Sequence, residues 1–176
     1  MSWGLTPRQF THLLICLVCD SGGEYANKFK PTETLLLLYS GLELMSAYPV
    51  KNLPTPDPAY EPERVIEIQL EALETNDTPV ENAGVKTAYN FASPANRRAT
   101  GPLDRFIKMV EGPQYAPMID HTEAVRGPIE RDGDQATQRV TLTGPDGRTV
   151  TYQFGVSKYT EAEFGECWLT DRVLAE

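Results

Sequence analysis

Seven side chains, Tyr89, His121, Glu123, Gln138, Tyr152, Trp168 and Asp171, have the types and spacing of a polar patch inside an apolar pocket. The inference rests on strand parity, because successive side chains of a β-strand point to opposite faces. If Val125 and Ile129 face the covered side of one strand, His121 and Glu123 face it too. On the same rule Val140 carries Gln138 inward, and Leu169 with Val173 carries Asp171 inward. A carboxylate or imidazole taken out of water in this way acquires the proton affinity a general acid or base needs. His121 and Asp171 are therefore the catalytic candidates, and the full set of seven is the ligand-binding candidate. The opposing reading places His121 and Asp120 at an exposed strand start and gives Asp171 to a loop cap, to Arg172 or to Arg139.

Two other clusters have some of the right chemistry. His12, Cys16 and Cys19 are four and three residues apart, which puts them on one helical face as a partial metal site in need of Cys167 or His121. Leu17 and Val18 fill the interval between the cysteines, whereas structural zinc sites favour polar knuckles, so small apolar packing is the preferred account. No metal and no cofactor is expected. Further on, Asn96, Arg97, Arg98 and Thr100 precede a helix start at Pro102, where open backbone N–H groups attract anions. The preferred account there is a loop whose Asn and Thr satisfy those donors. Gly101 stands alone, so no phosphate loop is implied.

The elements that must position these residues are legible from periodicity. Residues 63–75 place Val65, Ile66, Gln69, Leu70 and Leu73 on one stripe, which predicts an amphipathic helix stopped by Asn76-Asp77-Thr78-Pro79. A weaker helix is expected over 85–92, a capped turn at Ser93-Pro94, and a third helix from Leu103 to Val110, closed by Gly112-Pro113. From His121 the period changes to two. Asp132-Gly133 and Pro145-Asp146-Gly147 are hairpin signals, dividing the segment into strands near 121–130, 134–143, 148–158 and 166–174. Alternation of Val150, Tyr152, Phe154 and Val156 with threonines describes an antiparallel sheet wet on one side and covered on the other. The expected fold is therefore α+β, with three helices packed on a curved four-stranded antiparallel sheet.

Upstream lies a different kind of sequence. Pro49, Pro54, Pro56, Pro58 and Pro62 fall within fourteen positions and predict a stiff extended connector over 49–62. Residues 1–48 read as a helical N-terminal extension of two short helices, leucine-rich at 35–38, that must dock on the main domain or on a partner. Of the net charge of −9, residues 61–176 carry −8, which disfavours nucleic acid and anionic membrane surfaces as partners. The longest apolar runs fall short of the roughly 20 residues of a membrane span. Arg8 and the run after it have the outline of a signal peptide, but Cys19-Asp20 is not a cleavage site, so secretion is not expected.

Several phrases carry a family resemblance: Ile68-Gln69-Leu70-Glu71-Ala72-Leu73, Tyr89-Asn90-Phe91-Ala92-Ser93-Pro94-Ala95-Asn96, Thr100-Gly101-Pro102-Leu103-Asp104-Arg105-Phe106, Tyr115-Ala116-Pro117-Met118 and Cys167-Trp168-Leu169-Thr170-Asp171. Over about residues 60–174 the chain resembles the domain of unknown function 4864 family, and the helix-then-meander order is similar to the cone-shaped NTF2-like, or SnoaL-like, fold. The resemblance implies a cavity between helices and sheet, a cytoplasmic or plastid interior location, and no known functional residues. The leading expectation is a small-molecule-binding domain without established catalysis. The alternatives are a protein-interaction or homodimerisation module and an isomerase- or hydrolase-like enzyme working through His121 or Asp171.

Overall fold

The computed structural model describes residues 49–160 and 165–176, all within a compact unit that begins at Ala47. The helices expected at 1–48 and the His12, Cys16, Cys19 cluster lie outside the described residues. Helix α1 spans Pro62–Glu74, with Pro62 at its first position, where a missing N–H costs nothing. Its predicted stripe is buried in full, from Val65 and Ile66 through Gln69 and Leu70 to Leu73.

Asn76 turns the chain from α1 into α2, Ala83–Phe91. Its Oδ1 accepts the Val85 N–H at 3.1 Å, its carbonyl accepts the Gly84 N–H at 2.9 Å, and its Nδ2 donates to Asp77 and Asn82. This buried amide caps α2 from a distance, since the N-cap residue Asn82 makes no side-chain cap of its own. Gly84 lets the two helices meet closely: a Cβ there would collide with the Ala72 carbonyl of α1.

Among the described residues four α-helices precede the sheet, where three and a turn were expected. The turn at Ser93-Pro94 continues as α3, Pro94–Thr100, because Ser93 Oγ accepts the Asn96 N–H at 3.2 Å and Pro94 starts the helix. Helix α4 covers Leu103–Val110 and buries Phe106 and Val110; a 3₁₀ turn, Ala116–Met118, leads to the sheet. No described helix is long and apolar enough to cross a membrane.

Strands β1 (Glu123–Asp132), β2 (Gln135–Thr143), β3 (Thr149–Tyr159) and β4 (Cys167–Ala175) form an antiparallel meander in the order β1-β2-β3-β4. The helix-facing rows of β2 and β3 obey the predicted parity, with Ala136, Gln138, Val140, Leu142, Tyr152, Phe154 and Val156 buried. The opposite face carries threonine pairs, Thr141 against Thr151 and Thr143 against Thr149.

Parity fails on the outer strands because each pairing contains a bulge. The register of β1 shifts between Arg126 and Ile129, at Gly127-Pro128, so the residues before it reverse face. Val125 is 57% exposed and Glu123 is exposed, correcting their expected inward placement. In the β3–β4 pairing the shift lies between Gly155 and Val156, which leaves Asp171 as the extra residue between Thr170 and Arg172. Thr170 is therefore the inward neighbour of Val156, while Leu169 pairs with Ser157 on the other face.

The proline stretch does not run free of the domain. The buried Asn90 of α2 accepts the Val50 N–H at 2.7 Å and donates to the Val50 and Pro54 carbonyls at 3.1 and 3.0 Å.

Candidate functional site

Helices and sheet do not close completely on each other. They leave a partly open cavity of about 230 Å³ between them. Its floor is Phe154 of β3 with Thr170 and Val173 of β4. Gln69 and Leu73, one turn apart on α1, form one wall; Phe106, Met109 and Val110, at i, i+3 and i+4 on α4, form another. Asn96 and Thr100 of α3 border it on a third side, and Tyr115 and Met118 complete it from the 3₁₀ segment.

Most of the lining is carbon and sulfur; Gln69, Asn96, Thr100 and Thr170 are its uncharged polar groups, and Asp171 and Arg172 stand at its border. Gln69 Nε2 donates to the Val65 carbonyl at 2.8 Å and to Thr170 Oγ1 at 2.9 Å, and that hydroxyl faces Gln69 Oε1 at 3.2 Å. Asn96 Nδ2 donates to the Thr170 carbonyl at 3.0 Å, tying α3 to the edge of β4. Thr100 Oγ1 donates to the Asn96 carbonyl at 2.9 Å. The Asn and Thr of the candidate anion loop are thus engaged with the Thr170 and Asn96 carbonyls rather than with the N–H groups of the next helix.

Tyr89, His121 and Tyr152 stand one layer behind this lining. Tyr89 packs on Phe106 with ring centroids 5.3 Å apart. His121 is buried, and its Nδ1–H donates to the Met118 carbonyl at 3.0 Å; a carbonyl only accepts, so this nitrogen carries the hydrogen. Tyr152 stacks on Tyr115 at 6.1 Å and donates to the Gln114 carbonyl at 2.9 Å. Burial pushes its phenol up to about 12, with nearby Arg148 working against the rise.

Of the other four candidates, Gln138, Trp168 and Glu123 are placed elsewhere and Asp171 stands at the border. Gln138 Nε2 donates to the Gly127 carbonyl at 2.8 Å, clasping the β1 bulge, while its Oε1 is buried without a partner among the described residues. Trp168 lies under the Arg131 guanidinium, 4.8 Å from the ring centroid. Glu123 is exposed. Asp171 borders the cavity as a bulge residue, yet its carboxylate accepts from Ser157 Oγ at 2.5 Å and Tyr159 OH at 2.8 Å, whose strand positions belong to the outer face. This corrects its inward placement, and Arg139 pairs instead with Glu176.

Parity reasoning missed the lining contributed by α4 and the 3₁₀ turn. One signal was present in Gln69, a lone amide on an otherwise apolar helical stripe. Among the described residues no group of three His, Cys, Asp or Glu is gathered to hold a metal. Cys167 is buried as a free thiol, raised in pKa by burial and by the Asp57 carboxylate.

The model of one protein family, "Domain of unknown function (DUF4864)", matches residues 57–164. The chain belongs to the DUF4864 family. Neither a curated protein nor a solved structure matches it. The DUF4864 match contains every cavity residue contributed by the helices and β3, whereas Thr170 and Val173 follow it. The Val50 and Pro54 partners of Asn90 precede it.

Proposed function

We propose that this DUF4864 domain binds a small apolar molecule in the cavity between its helices and sheet, as a receptor or carrier and without chemistry of its own. One observation carries the reading: about 230 Å³ of space, lined by Phe106, Met109, Tyr115, Met118 and Phe154, is left between the helices and the sheet beside the packed core, open to solvent past Ala99 and Arg172. Protein interiors are close-packed, and a concave, mostly apolar cleft with a few polar groups is the common form of a small-molecule site. The cone-shaped NTF2-like arrangement belongs to the same proposal, since helices laid across one face of a bent meander would leave their gap at this position.

Proton-transfer chemistry is the weaker reading because the two candidate groups are already engaged. His121 donates to Met118 behind the wall, and the Asp171 carboxylate is held by two hydroxyls. The test is thermal unfolding of the full chain with a panel of small neutral aromatics. A bound molecule raises the midpoint through mass action, and Ala99→Phe, on an exposed position of α3 that borders the cavity, should abolish the rise. Equal midpoints with and without every compound would refute the proposal.

A further inference from the structure

Resting on the binding reading above, we infer that the occupant is a neutral aromatic molecule of one or two rings bearing one amide-like edge, and that the Asn96 side chain reads that edge.

Size limits the occupant first. A cavity of about 230 Å³ lies below the roughly 300–1,000 Å³ of sites that hold drug-sized ligands. Shape chemistry comes next. Phe106, Phe154 and Tyr115 offer ring faces and edges, and Met109 and Met118 offer thioethers, which make favourable contacts with aromatic rings.

Charge excludes the common anionic alternatives. The Asp171 carboxylate is taken by Ser157 and Tyr159. Arg172 also borders the cavity, but its side chain lies flat over Gly155: a Cβ there would stand 3.2 Å from Nε and 3.3 Å from the guanidinium carbon. The contacts of both ionised groups are with outer-face positions of β3, so a charged ligand would lose its hydration without a counter-charge already aimed at it.

A count of polar valences singles out Asn96. Gln69 spends both Nε2 hydrogens on Val65 and Thr170, Thr100 spends its hydroxyl hydrogen on Asn96, and Tyr115 spends its own on the Val173 carbonyl. Asn96 Nδ2 uses one hydrogen on Thr170, leaving its second hydrogen and Oδ1 without a protein partner among the described residues. A half-buried amide with one donor and one acceptor open is complementary to another amide edge, through two parallel hydrogen bonds.

Methionine methyl NMR on the full chain tests this directly. The four methionines are Met1, Met45, Met109 and Met118, and Met109→Leu and Met118→Leu assign the two that line the cavity. The probes are toluene, benzamide and benzoate. Toluene and benzamide should shift the Met109 and Met118 methyl signals saturably, with benzoate at least about tenfold weaker than benzamide. Asn96→Leu should weaken benzamide about three- to tenfold relative to toluene, the worth of one or two neutral hydrogen bonds. Benzoate binding as tightly as benzamide in the unsubstituted chain would overturn the ligand class while leaving the binding reading intact. An equal effect of Asn96→Leu on benzamide and toluene would overturn the role of Asn96. Unmoved Met109 and Met118 signals with all three probes would overturn the binding reading itself.

Discussion

Replacing Asn90 by alanine should loosen the segment before α1 from the domain and lower the melting temperature of the whole. Asn90 is fully buried, and its side chain holds the Val50 N–H and the carbonyls of Val50 and Pro54. A typical intramolecular hydrogen bond contributes about 0.5–1.5 kcal/mol net, and a buried group left unpaired costs about 1–3 kcal/mol. The three bonds are only partly buried, so water recovers some of the loss and the expected cost is about 2–4 kcal/mol. For a chain of this size that corresponds to a fall of roughly 5–15 °C. Calorimetry gives the midpoint, and hydrogen exchange read by mass spectrometry should show faster exchange at Val50. A second chain beginning at residue 57 supplies the control: it already lacks the partners, so Asn90→Ala should cost it far less. An unchanged midpoint in the longer chain, or equal losses in both chains, would refute the clamp.

Four further outcomes are expected. Gly84→Ala should cost at least about 2 kcal/mol in chemical denaturation, because the new methyl meets the rigid Ala72 carbonyl rather than a flexible side chain; a neutral result would show that the helices separate easily. Val125→Asp should change stability by less than about 0.5 kcal/mol, whereas Val140→Asp should prevent folding, and similar losses at both would refute the bulge at Gly127-Pro128. Stability should fall as pH rises from 10 toward about 12, since the Tyr152 phenol ionises more readily unfolded than folded; Tyr152→Phe should flatten that part of the profile, and an unaltered slope would contradict it. Cys167 should resist alkylation in the folded protein and react on unfolding, as peptide mapping would report, and rapid labelling of native protein would contradict its burial.

Much of the architecture was legible in the sequence because its physics is local. The 3.6-residue stripe from Val65 to Leu73 and the alternation of Val150, Tyr152, Phe154 and Val156 each report one face of one element. Turn residues such as Asp132-Gly133 then set where the strands end. A bulge breaks this logic, since one extra residue reverses every side chain beyond it while leaving composition untouched. Gly127-Pro128 inside a strand was the available sign, as both residues are poorly suited to a regular ladder. No comparable sign marks the bulge at Asp171.

The candidate site was legible only at one remove. Tyr89, His121 and Tyr152 do cluster around the cavity, but behind Phe106, Met118 and Tyr115 rather than facing the space. The cavity arises from the distance at which α1 and α4 stand off the sheet, a property of three elements together. Periodicity describes each element alone and carries no information about such a gap. Asn96 was selected for its polar neighbours and for an anion; its bond to the Thr170 carbonyl, seventy-four residues away, is what places it at the cavity wall.

Small-molecule binding requires above all that the space between helices and sheet admit small apolar molecules. Diffraction from crystals held under xenon pressure tests this without knowledge of the natural ligand, because xenon enters apolar cavities by dispersion alone. A xenon atom in contact with Phe106, Met109 and Phe154 is the predicted result. Those three side chains closed against one another, with no xenon between them, would contradict the account.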